Sequence, residues 1–209
     1  MRKHLILLGD SDINNWPKHL IPNLNVDEMH TIARGGATLP DVDRMFEAWI
    51  HENSKFFMDE MNGGRRNMIE VFIIACAGEN DICQGRSVDS AVNAYHDLMC
   101  HIFEKLPQCK RVMFLGPKFE PWLEKDYSTR KQYTKLSKAL RRATERHKHV
   151  DKIMFIDCLT MFCGETKSLP GAINGDRALA DKTYFVEDDL HLNDRGYILW
   201  KGEIERHQM

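Results

Sequence analysis

The 209-residue sequence has no apolar run longer than Val71 to Ala77, far short of the roughly 18 residues that a membrane-spanning helix needs. After Arg2, Lys3 and His4, only four apolar residues precede Gly9 and Asp10. That is too few for the apolar region of a secretory signal, so a cytoplasmic location is expected. The six cysteines (Cys76, Cys83, Cys100, Cys109, Cys158 and Cys163) form no CxxC and no CxxH pair, so metal-finger spacing is missing and reduced thiols are expected. Charge of one sign is not in excess: 29 Lys and Arg face 31 Asp and Glu, and nothing in that balance demands nucleic acid or an anionic membrane. Glycine and proline, at 13 and 7 residues, are too scarce for a collagen-like or low-complexity chain. With 43% hydrophobic residues the sequence reads as one globular domain, residues 1–209.

What is present is an alternation. Five short apolar segments recur, at 4–8, 28–33, 69–77, 110–115 and 152–156, several of them near-continuous, as strands buried on both faces are. Between them lie helical periodicities. The clearest joins Val88, Ala91, Val92, Tyr95, Leu98, Met99, Ile102, Phe103 and Leu106. A second opens with Val42, Met45, Phe46, Trp49 and Ile50 and is closed by Gly63-Gly64, and a third contains Tyr133, Leu136, Leu140 and Ala143. Asn193 or Asp194 caps a last helix containing Tyr197, Ile198 and Ile204. Strands alternating with helices predict an α/β fold with a five-stranded parallel sheet and right-handed crossovers. The long segment Cys158 to Leu190 exceeds a passive connection and is expected to build part of a site.

In an open parallel sheet, ligands bind outside the carboxyl ends of the strands. Gly9-Asp10-Ser11-Asp12 follows the first strand, Arg34-Gly35-Gly36-Ala37-Thr38 the second, Gly78-Glu79-Asn80-Asp81 the third, and Asp188-Asp189-Leu190-His191 comes after the fifth. Taken singly, Ser11 reads as a helix cap, Gly35-Gly36 and Asn80-Asp81 as turns, and His191 as a satisfied polar group. Together at one edge they offer more. A serine hydroxyl needs a base to take its proton and a third group to hold that base in the right tautomer, roles that Ser11, His191 and Asp188 can fill. The N–H of Ser11, the N–H of Gly36 and the side-chain amide of Asn80 can donate to one developing oxyanion.

These four blocks resemble the SGNH hydrolases, also called the GDSL-type esterase/lipase family. The resemblance spans residues 9 to 191 and implies a flavodoxin-like three-layer α/β/α sandwich. It implies Ser11 as nucleophile, His191 as base, Asp188 as its orienter, and Ser11, Gly36 and Asn80 as the oxyanion hole. It implies hydrolysis of a small-molecule carboxylic ester, with a short acyl group such as acetyl, and no cofactor or metal, since His191 activates the hydrolytic water. Two positions depart from the family. Asp12 stands where an apolar residue is usual, and Asp189 where glycine is common; their charge would favour imidazolium at His191 and disfavour acidic substrates. A second function remains open. Lys131, Lys135, Lys138 and Arg142 form one helical stripe that reads as a solvated face or, alternatively, as an RNA-binding surface on a non-catalytic relative of the fold.

Overall fold

The computed structural model of the chain describes residues 2–62, 69–163 and 180–207, with the side chains of 54–62 outside the description. Five strands, β1 (Arg2–Gly9), β2 (Glu28–Ala33), β3 (Ile69–Cys76), β4 (Cys109–Leu115) and β5 (Ile153–Ile156), pair in parallel in the order β2-β1-β3-β4-β5. Each lies within two residues of its segment in the sequence reading. β1 is flanked on both sides, and its Leu5, Ile6, Leu7 and Leu8 are all buried, which is why that run shows no alternation. The edge strand β2 keeps an alternating pattern, with Met29 and Thr31 exposed.

The helices are α1 (Ser11–Asn14), α2 (Leu39–Asn62), α3 (Glu79–Cys83), α4 (Val88–Lys105), α5 (Tyr127–Glu145), α6 (Cys158–Met161) and α7 (Asp194–Arg206). The step from β1 to β2 runs in the opposite direction to the three later steps, so right-handed crossovers put it on the opposite face. Hence α2, α4 and α5 pack side by side on one face. On the other, Trp16 after α1 meets Tyr197 and the fully buried Trp200 of α7. Ser87 caps α4 by accepting from Ser90 N–H, and Asp126 caps α5 through Thr129 N–H. Of the two candidates for the last helix, Asn193 is the cap, accepting from the N–H groups of Arg195 and Gly196. The proposed α2 stop at Gly63-Gly64 lies outside the described residues. All six cysteines are free thiols, and no helix among the described residues is long and apolar enough to cross a membrane.

The reversal of direction beside β1 opens a crevice between the carboxyl ends of β1 and β3, the place where this strand order binds ligands. Gly9 makes the exit from β1 possible. A Cβ there would lie 2.2 Å from the Cys76 carbonyl oxygen and 2.7 Å from Ile13. Neither the strand pairing nor the turn can yield without the other, so Gly9→Ala should lower stability by about 2–4 kcal/mol, measured by urea unfolding against wild type.

Candidate active site

Ser11 opens α1, a single turn capped by the buried Asp10, whose carboxylate accepts from Asp12 N–H at 3.2 Å. Asp10, and not Ser11, is therefore the helix cap, which leaves the Ser11 hydroxyl clear of that duty. Asn80 sits in the first turn of α3, just past β3, where Gly78 takes a φ of 118° that side chains rarely adopt. The Asn80 amide donates to the Ala37 carbonyl at 3.1 Å and faces Asp10 at 3.4 Å, tying the ends of β1, β2 and β3 together.

Asp188 and His191 arrive on the turn before α7. One Asp188 oxygen accepts from the backbone N–H groups of Leu190 and His191, both at 2.9 Å, and the other lies 2.6 Å from His191 Nδ1. Burial alone would raise the Asp188 pKa, but these three hydrogen bonds outweigh it and hold the carboxyl below its usual range. An ionised Asp188 can only accept, so His191 Nδ1 holds the proton and Nε2 is left as the basic nitrogen. Asp189 occupies the left-handed region at φ 59°, a conformation aspartate tolerates and glycine takes freely. That explains the glycine expected at this position. Its carbonyl accepts from Trp122 N–H at 3.4 Å.

Ser11, Asn80, Asp188 and His191 all line one pocket of about 290 Å3. Among the described residues Ser11 Oγ makes no side-chain hydrogen bond. Gly36 is not in that lining; it is exposed at φ 72°, and its carbonyl accepts from Gln84 Nε2 at 3.1 Å. Residues 119–127 contribute Glu120 and Trp122 to the lining, whereas 164–179 of the long segment Cys158 to Leu190 lies outside the described residues. A larger cavity of about 360 Å3 lies toward the amino ends of the strands, lined by Lys3, Phe72 and Arg111, and has no nucleophile beside a base.

The pocket has further walls. Lys118, Glu79, Glu120, Trp122, Tyr133 and Cys83 also line it. The fully buried Lys118 ammonium reaches Asp12 at 2.6 Å, Glu79 at 2.7 Å and Glu120 at 2.8 Å. Trp122 Nε1 donates to the second Glu120 oxygen at 2.6 Å. The signal that marks them is position: residues 116–120 follow the carboxyl end of β4, at the same edge of the sheet as the other blocks. The departure at Asp12 thus has a structural partner in Lys118.

Lys118 has more acids than it can neutralise. Burial pushes the Lys118 pKa down, but the surrounding carboxylates more than reverse this and hold it well above its usual value. Burial, with the charges of Asp12 and Glu79, pushes Asp10 well up. Burial also raises Asp12, despite the opposing charge of Lys118. Burial and the charge of Glu120 raise Glu79 to about 7. The folded state therefore favours protonated Glu79, and that contribution to stability is full below about pH 4.5 and is lost as pH rises through 7. Urea unfolding between pH 5 and 8 should show a downward slope in stability with pH that Glu79→Gln flattens.

The basic stripe lies elsewhere. Lys131, Lys135, Lys138 and Arg142 are exposed on α5, whose opposite face buries Tyr133, Leu136 and Leu140.

No protein-family model and no curated protein sequence matches this one, but solved structures do. A member of the lipolytic protein G-D-S-L family from Veillonella parvula superimposes with a TM-score of 0.64 at 15% identity, over 98% of this chain and 97% of that one. A lipase/acylhydrolase from Enterococcus faecalis gives a TM-score of 0.61 at 17% identity, covering 99% and 94%. A carbohydrate esterase family 3 protein from Talaromyces cellulolyticus gives 0.66 at 14% identity, covering 99% and 95%. Sheet order, crossover sides and these neighbours agree that the chain has the fold of the GDSL/SGNH lipases and acylhydrolases.

Proposed function

We propose that the protein is a serine ester hydrolase acting through an acyl-Ser11 intermediate. The observation that carries this reading is the 2.6 Å Asp188–His191 pair opening into the same pocket as Ser11. In this reading His191 Nε2 takes the Ser11 proton as Oγ attacks the acyl carbon, then gives it to the departing alcohol. Water attacks the acyl carbon as His191 removes its proton, and that proton passes to Ser11 Oγ as its bond to the acyl carbon breaks and the acid leaves. The Ser11 N–H, at the start of α1 where no helix acceptor is available, and the anchored Asn80 amide stabilise the oxyanion. Gly36 N–H is the third donor, one residue from the Ala37 carbonyl that holds Asn80.

The pocket favours short acyl groups such as acetyl. Its walls include Glu79, Lys118 and Glu120, which a long alkyl chain would have to lie against at the cost of their hydrogen bonding. Acidic esters are disfavoured by the excess of carboxylates around one lysine.

A fluorophosphonate probe at pH 8 should label wild type and leave Ser11→Ala unlabelled, as read by mass spectrometry. Equal labelling of both, or of neither, would reject the reading. Asp188→Asn should lower turnover of p-nitrophenyl acetate by about 10⁴-fold, the scale of an orienter amide swap in a serine triad, because the amide can present the wrong tautomer to His191. Asp189→Asn should cost less than tenfold, since asparagine also tolerates the left-handed backbone. The reverse ranking would reassign the triad.

A further inference from the structure

At the other end of β1 lies a group of side chains with no part in ester hydrolysis. In the β1–β2 register His4 pairs with Glu28, and Ile6 with His30. Residues two apart on a strand share a face, so His4, Glu28 and His30 stand together on one side of the sheet. His4 Nδ1 and His30 Nε2 are 3.3 Å apart, and the same Glu28 Oε2 lies 3.9 Å from each.

Those three separations define a nearly equilateral triangle of ligand atoms. A point about 2.2 Å from all three exists at its centre, at the upper end of zinc distances to imidazole nitrogen and carboxylate oxygen, which run from about 2.0 to 2.2 Å. At 3.9 Å Glu28 is beyond hydrogen-bond reach of either ring, so a hydrogen bond between the two histidines accounts for only one side of the triangle. We propose that His4, Glu28 and His30 form a binding site for a late first-row divalent cation of the zinc class.

The surroundings suit this. His4 is fully buried on a central strand and His30 packs against Trp49, with ring centroids 5.1 Å apart; the two imidazoles lie parallel within 4°, their centroids 5.6 Å apart, so each turns from the shared hydrogen bond toward the centre of the triangle when an ion enters. The other Glu28 oxygen faces Arg2 at 4.0 Å, which leaves Oε2 turned to the rings. Glu28 and His30 are partly exposed, giving the ion a path in and leaving room for water as a fourth ligand. Ion entry needs no net proton loss from the imidazoles: the ring that donates in the histidine pair shifts its proton to its other nitrogen. The ion would tie the edge strand β2 to β1, five residues and about 17 Å before Gly9, away from the Ser11 pocket.

A competing cluster is weaker. His96, Cys100 and His147 are also close, with Cys100 Sγ 3.6 Å from His147 Nε2. There His147 Nδ1 accepts from His149 N–H at 3.2 Å, which places the ring proton on Nε2, the atom that would have to ligate.

The test is zinc titration of chelator-stripped protein at pH 7.5 against a chromophoric chelator, with cobalt substitution as the spectroscopic arm. One equivalent should bind at micromolar or lower Kd. Glu28→Gln and His30→Ala should each weaken binding at least tenfold while circular dichroism remains that of wild type, and Cys100→Ser should bind as wild type does. The cobalt protein should lack a thiolate charge-transfer band in the near ultraviolet. X-ray absorption on the wild-type zinc protein should show nitrogen and oxygen neighbours without sulfur, a reading that needs no variant to fold. Ester hydrolysis should be the same with and without zinc. No binding at tens of micromolar zinc, retention in both Glu28→Gln and His30→Ala, loss in Cys100→Ser, or a sulfur shell would each overturn the proposal.

Discussion

The pocket depends on one buried cation. Lys118 enters from the end of β4 and its ammonium is shared by Asp12 from α1, Glu79 from α3 and Glu120 two residues on. An ammonium or a carboxylate taken from water without partners costs several kcal/mol even after relaxation, so none of these elements can move alone. The turn that presents Ser11 and the turn that presents Asn80 are therefore held to each other through charges beneath them as well as through the Asn80 amide above. Tyr197 of α7 adds a further tie, its hydroxyl donating to the Asp12 carbonyl at 2.9 Å.

The same cluster gives the pocket its chemical character. Four carboxylates, counting Asp10, surround one lysine, and burial, reinforced by repulsion among the acids, raises the pKa values of Asp10, Asp12 and Glu79. Asp10 and Glu79, both with raised pKa values, lie next to the residues read as nucleophile and oxyanion donor. Asp188 is set by other means: hydrogen bonds from backbone N–H groups and His191 on an exposed turn hold its carboxyl below the usual range, whereas desolvation raises the buried acids.

The fold was legible because its signals are local. The apolar runs of β1 and β3 have no alternation, since both strands are covered on two faces, and helical periodicity in α4 and α5 is strong enough to mark their buried sides. Ser11, Asn80, Asp188 and His191 were nameable because each follows a strand or precedes a helix at short range. Lys118 was not. A lysine three residues past a strand reads as a solvated cation, and its burial depends on Glu120 nearby and on Asp12 and Glu79 from distant parts of the sequence. Gly36 shows the opposite limit: it follows β2 in sequence as the resemblance requires, but it lies outside the pocket lining, and the direction of its N–H is a matter of dihedral angles that no spacing encodes.

Asp12 ties these threads together. An apolar residue following the serine would pack into the sheet and require nothing further; an aspartate there would leave a charge buried beneath the nucleophile. The chain resolves this with Lys118, yet one lysine against Asp12, Glu79 and Glu120 leaves the first shell around it net negative. Replacing one acid at a time would reduce that excess, whereas removing the lysine would strand all three. It follows that the departure at Asp12 and the presence of Lys118 form a single physical unit. A sequence keeping Ser11, Asn80, Asp188 and His191 but carrying only one half of this pair would fold poorly around its own site.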